Sequence, residues 1–576
     1  MIWAYDVENG ALDRILTTPL DAETTSPFWY RNINGFGYMT VVTQHPMESQ
    51  ETTADNQESK VGVLGPIRNL DSVSDVTLHR VGRFDSGVGE AGSEISAFDP
   101  VTKRLFITNG ATNQVDVVDI SQVAAPNRLS SLDLSDYGET VQSVAVKNGQ
   151  LAVAIGFNDK TGTKGRVAIF NTSTLALTSQ TEVGYLPDMV TFNSDGSKVI
   201  VANEAEPAAA EPYTGVVSYL DQPGTIGMIV VADATPTANS DGYSEVGFTD
   251  ADLNAAADGT PVRLGGTPSS STALDLEPEY ITISGDYAYV TLQENNAVAK
   301  VDISGDTPAL ERVISLGAKA YDSASGNRID IEEDGEIRLQ HYPELYGLYM
   351  PDTIASYSYG GQTFLVTANE GDGREWIDSS EEENGFVDEI KISKLTLEDT
   401  IADAYADDND LKVVKDMGGV GEPDADGVYD SYDKLYTYGA RSFTIWNSSG
   451  ALVWDSGDQF SVQTASHEPA LFNQDDGVMD GRSGNKGVEP EALAIGQVNG
   501  KTYAFIGFER QSAIVTYDIS NPYDPHYVSY MPTHTDNDVS PEGMLFIPAY
   551  QSPNGRDLLV VSYEMSGSTV IYEIKP

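Results

Sequence analysis

The stretch Glu491–Ser520, "EALAIGQVNGKTYAFIGFERQSAIVTYDIS", reads as three short β-strands in succession. "EALAIG" alternates around small and apolar residues, and Asn499-Gly500 then supplies the tight turn of a hairpin. "YAFIGFE" follows as a nearly continuous apolar run, and "AIVTYDIS" repeats the alternation. Runs this short, bounded by turn residues, are strands and not helices.

The same unit recurs along the chain. An acidic or polar residue opens an alternating strand, a turn follows, and a second apolar strand returns. Copies begin at Glu94, Gln142, Asp188, Glu279, Asp352, Arg441, Glu491 and Glu542. Third strands such as "QVDVVDIS", "AVAKVDIS" and "AIVTYDIS" resemble one another closely. Repeats of four short strands predict an all-β fold, a β-propeller whose blades bury one another's faces. Eight starts favour eight blades. The Arg441 unit lacks a normal second strand, which makes seven the alternative. The unit at Glu542 has room for only three strands before Pro576, so a strand near Val76–Phe84 is expected to complete it. Pairing of the N- and C-terminal strands would then close the ring.

Composition narrows the function. The 576 residues include 88 acids against 33 bases, a formal charge of −55. That surface repels nucleic acid, which needs a basic footprint, and attracts divalent cations. The absence of cysteine excludes disulfides, thiolate zinc sites and cysteine catalysis. No stretch is long and apolar enough to span a bilayer. Met1 leads without a signal peptide into "IWAYDVENGALDRIL", a strand pair, so the chain is expected to begin inside a domain of a larger protein.

Propeller topology places the acids. The first strand of each blade enters at one rim, and the antiparallel second strand returns to it. Entries therefore bring Glu94, Asp188, Glu279, Asp352, Glu491 and Glu542 to the same mouth as the second-strand exits Glu204, Glu294, Glu370, Glu509 and Glu564. Five entries follow a proline, in "LPD", "EPE", "MPD", "EPE" and "SPE". Proline fixes the backbone there and removes a donor that would lack a ladder partner. So many carboxylates raise one another's pKa, and bound metal relieves that strain. Oxygen ligands select calcium, with magnesium or manganese as alternatives. Glu279, Asp352, Glu370, Glu491, Glu509 and Glu542 are the expected metal ligands. Arg374, Arg441 and Arg510 lie beside these acids, and arginine forks suit a phosphoryl group. The six histidines form no pair at helical spacing.

The stretches "LYMPDTIASYSYGGQTFLVTANEGDGREW", "GARSFTIWN", "NKGVEPEALAIG", "YAFIGFER" and "SPEGMLFIPAYQSPNGRDLLVVSYEMSGSTVIYEI" resemble the choice-of-anchor I domain. That family includes secreted bacterial proteins often named alkaline phosphatases and is similar to mesenchyme-specific cell-surface glycoproteins. The resemblance covers roughly Asp85 to Pro576. It implies an extracellular or cell-surface propeller that meets calcium or a mineral phosphate or carbonate. The N-terminal stretch, "IWAYDVENGALDRILTTPLDAETTSPFWY" with "TVVTQHP", looks like the tail of PhoX-type alkaline phosphatases. The implied organisation is a partial phosphatase-like segment over residues 1–70 and a propeller over 71–576, with a phosphatase-like half preceding Met1. Two functions follow as expectations. One is a metal-dependent phosphomonoesterase, with the three arginines as phosphate ligands. The other is a non-catalytic calcium- or mineral-binding module.

Overall fold

The computed structural model describes residues 2–5, 12–16, 23–33, 36–44, 60–68, 76–209, 219–234, 240–265, 271–376, 386–406, 410–424 and 427–576. The chain divides into two compact units, one built mainly from Met1–Asp75 and one from Val76–Val498 with Thr502–Lys575. In the first, Ile2–Tyr5 pairs with Leu12–Leu16, and Glu23–Ile33, Phe36–Gln44 and Lys60–Arg68 form a three-stranded antiparallel sheet.

The second unit is all-β. Among its described residues, seven antiparallel sheets of four main strands follow one another. Their first strands are Ser96–Asp99, Thr140–Lys147, Pro187–Phe192, Ile281–Ser284, Ile354–Tyr359, Pro490–Val498 and Pro541–Ile547. These strands touch in sequence order, and the seventh touches the first. Second strands are buried on both faces, as in Lys198–Asn203 and Leu558–Tyr563, and this is why they read as unbroken apolar runs. The outermost strand of the first sheet, Asn127–Asp133, is mostly exposed and polar.

Packing between sheets supplies the stability. Phe106 and Val117 of the first sheet meet Leu151 and Val153 of the second. Equivalent apolar cores join each sheet to the next. The last core sets Val560 and Ile571 of the seventh sheet against Phe98, Leu105 and Val118 of the first. Gly543 shows how close that approach is, since a Cβ there would stand 2.3 Å from the Glu94 carbonyl oxygen. The strand Thr77–Asp85 pairs antiparallel with Ser568–Lys575 and completes the seventh sheet. Sheets packed in this cyclic order are a β-propeller.

One expectation is corrected. The segment at Arg441 opens no sheet of its own. Its strand, Ser442–Asn447, is the third strand of the fifth sheet, paired with Gln362–Asn369. More than seventy residues intervene between the two strands, which hid the pairing from a reading by spacing. This insertion joins the segment 316–353 around a separate core of Tyr321, Ile331, Leu411, Tyr432 and Leu435.

Candidate functional site: an acidic mouth

The backbone at each entry explains how the acids are presented. Leu186, Met350, Glu489 and Ser540 each precede the proline of an entry motif, and all hold positive φ of 41–58°. Non-glycine residues rarely adopt that conformation, and its repetition at one rim marks a site built at some conformational cost. Their carbonyls accept from the ends of the second strands. Glu204 N–H donates to Leu186 O at 2.9 Å, Glu509 N–H to Glu489 O at 3.0 Å and Glu564 N–H to Ser540 O at 2.9 Å. Entry and exit acids of one sheet thus stand side by side.

Bulges then aim the side chains. Register shifts at Gln142, Asp188 and Glu542 leave each of these entry residues unpaired in its ladder. A bulge bends the strand and re-aims one side chain, and such features collect near functional sites. The outcome is a cavity of about 360 Å³ lined by Glu94, Gln142, Asp188, Tyr280, Asp352 and Glu542 among others. Four sheets or their leading loops thereby supply its four carboxylates.

These groups are all shifted above the usual carboxylate range. Burial, then the charges of Glu564 and Asp188, pushes Glu94 up to about 7. Burial raises Asp188 to about 6. Asp352 stands at about 7 through burial and Glu370, and Glu542 at about 8 through burial and the neighbouring acids. Glu279 and Glu491 are raised well above the carboxylate range for the same two reasons. Carboxyls hydrogen-bond in pairs, Glu294 with Glu279 and Glu542 with Glu491. Even so, Oε2 of Glu277, Glu279, Glu294 and Glu491 is buried without a hydrogen-bond partner. Buried oxygens left unpaired are costly, and either a proton or a cation satisfies them.

The remaining expected ligands face a different environment. Oxygens of Glu370, Glu489 and Glu509 approach within 4.8 Å of one another. The protein answers that charge itself. Lys486 Nζ lies 2.9 Å from Glu370 Oε1, while Arg482 Nε and Arg510 Nε stand 2.6 and 2.9 Å from the two oxygens of Glu489. Burial alone would raise Glu489, but Lys486, Arg482 and Arg510 outweigh it and hold the group at about 2. Glu509 keeps a pKa near 9 through burial and the Glu489 charge.

The three arginines expected to take phosphate are engaged internally. Arg441 corrects its expected role. It is buried, and it donates to the carbonyls of Asp330, Ser483 and Asn485 at 2.9, 2.7 and 2.6 Å. Its Nη1 and Nη2 hold the segment at Asp330 and the loop before the sixth sheet, while its Nε is buried without a partner. Arg510 pairs with Glu489 and Glu509. Arg374 binds Asp275 and Glu277, each at 3.2 Å, yet its Nη1 is buried and unpaired. Lys486 and Arg482 carried no sequence motif, because only folding brings "GRSGNKG" against Glu370 and Glu489.

No helix among the described residues is long and apolar enough to cross a membrane. The mesenchyme-specific cell surface glycoprotein of Strongylocentrotus purpuratus is 26% identical, over 36% of this chain and 30% of that protein. Gigasin-3a of Magallana gigas is 26% identical over 25% of this chain and 59% of its own length. The chain thus spans under two thirds of either relative. Among solved structures, Kuenenia stuttgartiensis hydrazine synthase aligns with a TM-score of 0.41 and 13% identity, covering 84% of this chain and 96% of that one. The β-propeller domain of Myceliophteria thermophila Cps50 (Swd1) aligns at 0.39 and 8% identity, covering 87% and 100%. The choice-of-anchor I domain model matches residues 94–522, most of the chain, and the protein belongs to that family.

Proposed function

We propose that this chain is an extracellular seven-bladed propeller module that holds hard divalent cations, calcium foremost, at its acidic mouth. The seven sheets are read as the blades, and the pairing of Thr77–Asp85 with Ser568–Lys575 as the closure of the ring. The observation that carries the reading is the central cavity, with Glu94, Asp188, Asp352 and Glu542 converging on it from separate sheets. The donor set fits calcium. Carboxylate oxygens are available from several directions, no histidine lines the cavity, and Tyr280 and Gln142 complete a polar wall. The name of one relative, a cell surface glycoprotein, supports a place at the cell surface.

Calorimetric titration of the full chain with calcium tests the reading. Saturable binding that weakens in Asp352→Asn and Glu542→Gln is expected. No binding of calcium, magnesium or manganese would sink it.

Phosphomonoesterase activity is the second reading. One observation favours it: Arg374, beside Glu277, keeps a free donor. Metal held by Glu277, Glu279 and Glu294, whose buried oxygens are unpaired, would activate water, and Arg374 beside Glu277 would hold the phosphate. Release of phosphate from an aryl phosphate with calcium, magnesium or manganese supplied is the check, and no release removes this reading without touching the first.

A further inference from the structure

A second cavity, of about 250 Å³, has the opposite character from the mouth. Arg374, Lys412, Arg482 and Lys486 line it, with Asn485 and Tyr438. In a chain of 576 residues with only 33 bases, four around one small cavity is a concentration of cations that the overall charge opposes. Asp372 and Glu389 also line it. They pair with Lys486 and Lys412 respectively, while Arg374 and Arg482 pair with acids outside the lining, Asp275, Glu277 and Glu489.

The folding of this region is specific. Gly371 and Gly439 let two loops cross in contact. A Cβ on Gly371 would stand 2.1 Å from Gly439 N, and one on Gly439 would stand 1.9 Å from Glu370 O. Asp275 and Glu277 take the Nε and Nη2 of Arg374, and Asp275 O accepts from Nη2 at 2.8 Å. Nη1 has no partner although the side chain is fully buried. Arg482 spends its Nε on Glu489. Tyr438 donates to Asp388 Oδ1 at 2.9 Å and so serves as a wall.

A buried guanidinium nitrogen without an acceptor, in a cavity lined by further cations, is the arrangement that an oxyanion satisfies. We propose that this cavity binds a small oxyanion, received by Arg374 Nη1 and by the Arg482, Lys486 and Asn485 side chains. The site is separate from the cation-binding mouth and does not depend on it.

The test is calorimetric titration of the full chain with inorganic phosphate, sulfate and acetate, at constant ionic strength and with a chelator present. Saturable binding of at least one of the three is expected. Arg374→Lys keeps the charge but loses the free donor, and should weaken binding about tenfold or more. Asn485→Asp places a negative charge in the cavity without removing an ion pair, and should abolish binding. It guards against misfolding of the buried arginine variant. Silence from all three anions overturns the proposal. So does binding that Asn485→Asp leaves unchanged, or binding that appears only when calcium replaces the chelator. That last outcome would place the anion on a cation at the mouth. Phosphate binding under chelation with no calcium binding would leave this inference standing and remove the mouth reading.

Discussion

Glu489 and Glu491 are two residues apart on either side of Pro490, and they behave in opposite ways. Glu489 lies beside Arg482, Lys486 and Arg510 and stays ionised down to about 2. Glu491 faces Glu542, Glu509, Glu370 and Asp352, and its proton is held far above the usual range. Both are deeply placed, so burial does not separate them. The neighbours do. A carboxylate on the second-cavity side is paired directly with fixed cations, whereas among the described residues Glu94, Asp188, Asp352 and Glu542 form no ion pair, and Lys486 lowers Asp352 only in part. The contrast shows that acid density alone does not make a cation site. What matters is whether the protein has already supplied the counter-charge.

The most forceful way to break this contrast is to remove the internal cation. Lys486→Met strands Glu370 in a buried setting, while Glu489 keeps Arg482 and Arg510, and unfolding in urea should show a loss of about 3–5 kcal/mol. Glu489→Gln should cost a comparable amount, since it removes the acid that Arg482 pairs with and leaves Arg510 only its longer contacts to Glu509 and Asp475, whereas Glu491→Gln at pH 7 should change stability by about 1 kcal/mol or less. If both substitutions cost the same, the distinction fails.

Calcium sharpens the comparison from the other side. At a concentration of about a hundred times its dissociation constant, it should stabilise the chain by about 2.7 kcal/mol, read as a rise in melting temperature. Asp352→Asn should reduce the rise, and Glu489→Gln should leave the calcium affinity unchanged.

Acidity gives the smallest and most gradual effect. Groups raised on folding hold more protons in the native state than in the unfolded chain, so raising the pH costs stability. Glu94 and Asp352 at about 7 and Glu542 at about 8 place the loss between roughly pH 5 and 8. Glu489, depressed to about 2, works in the opposite sense and costs stability only on acidification below the usual carboxylate range. Melting curves with a chelator should fall across pH 5–8. Added calcium should flatten that fall, because cations replace the protons. A profile that is flat without calcium would count against the uncompensated mouth.

Much of the architecture could be read from local pattern. Apolar second strands, Asn-Gly and Gly-Asp turns, and the repeated Pro-acid entries are short-range features. Their periodicity placed all seven first strands, with the start at Arg441 in excess, and the convergence of entry and exit acids. The strand at Ser442–Asn447 was misread because its partner lies across an insertion, and spacing carries no information about pairing over that distance. The left-handed residues before the prolines were not visible either, since Leu186 and Met350 are not types that signal positive φ.

The sequence by itself determined a repeated all-β chain with a ring of acids at the strand ends, because alternation and turn chemistry act over a few residues. Tertiary structure alone decided which acids are charged. That choice depends on Lys486 reaching Glu370, Arg374 reaching Glu277 and Arg510 reaching Glu489 from other parts of the chain, and electrostatic interactions are set by separation in space and by the exclusion of water.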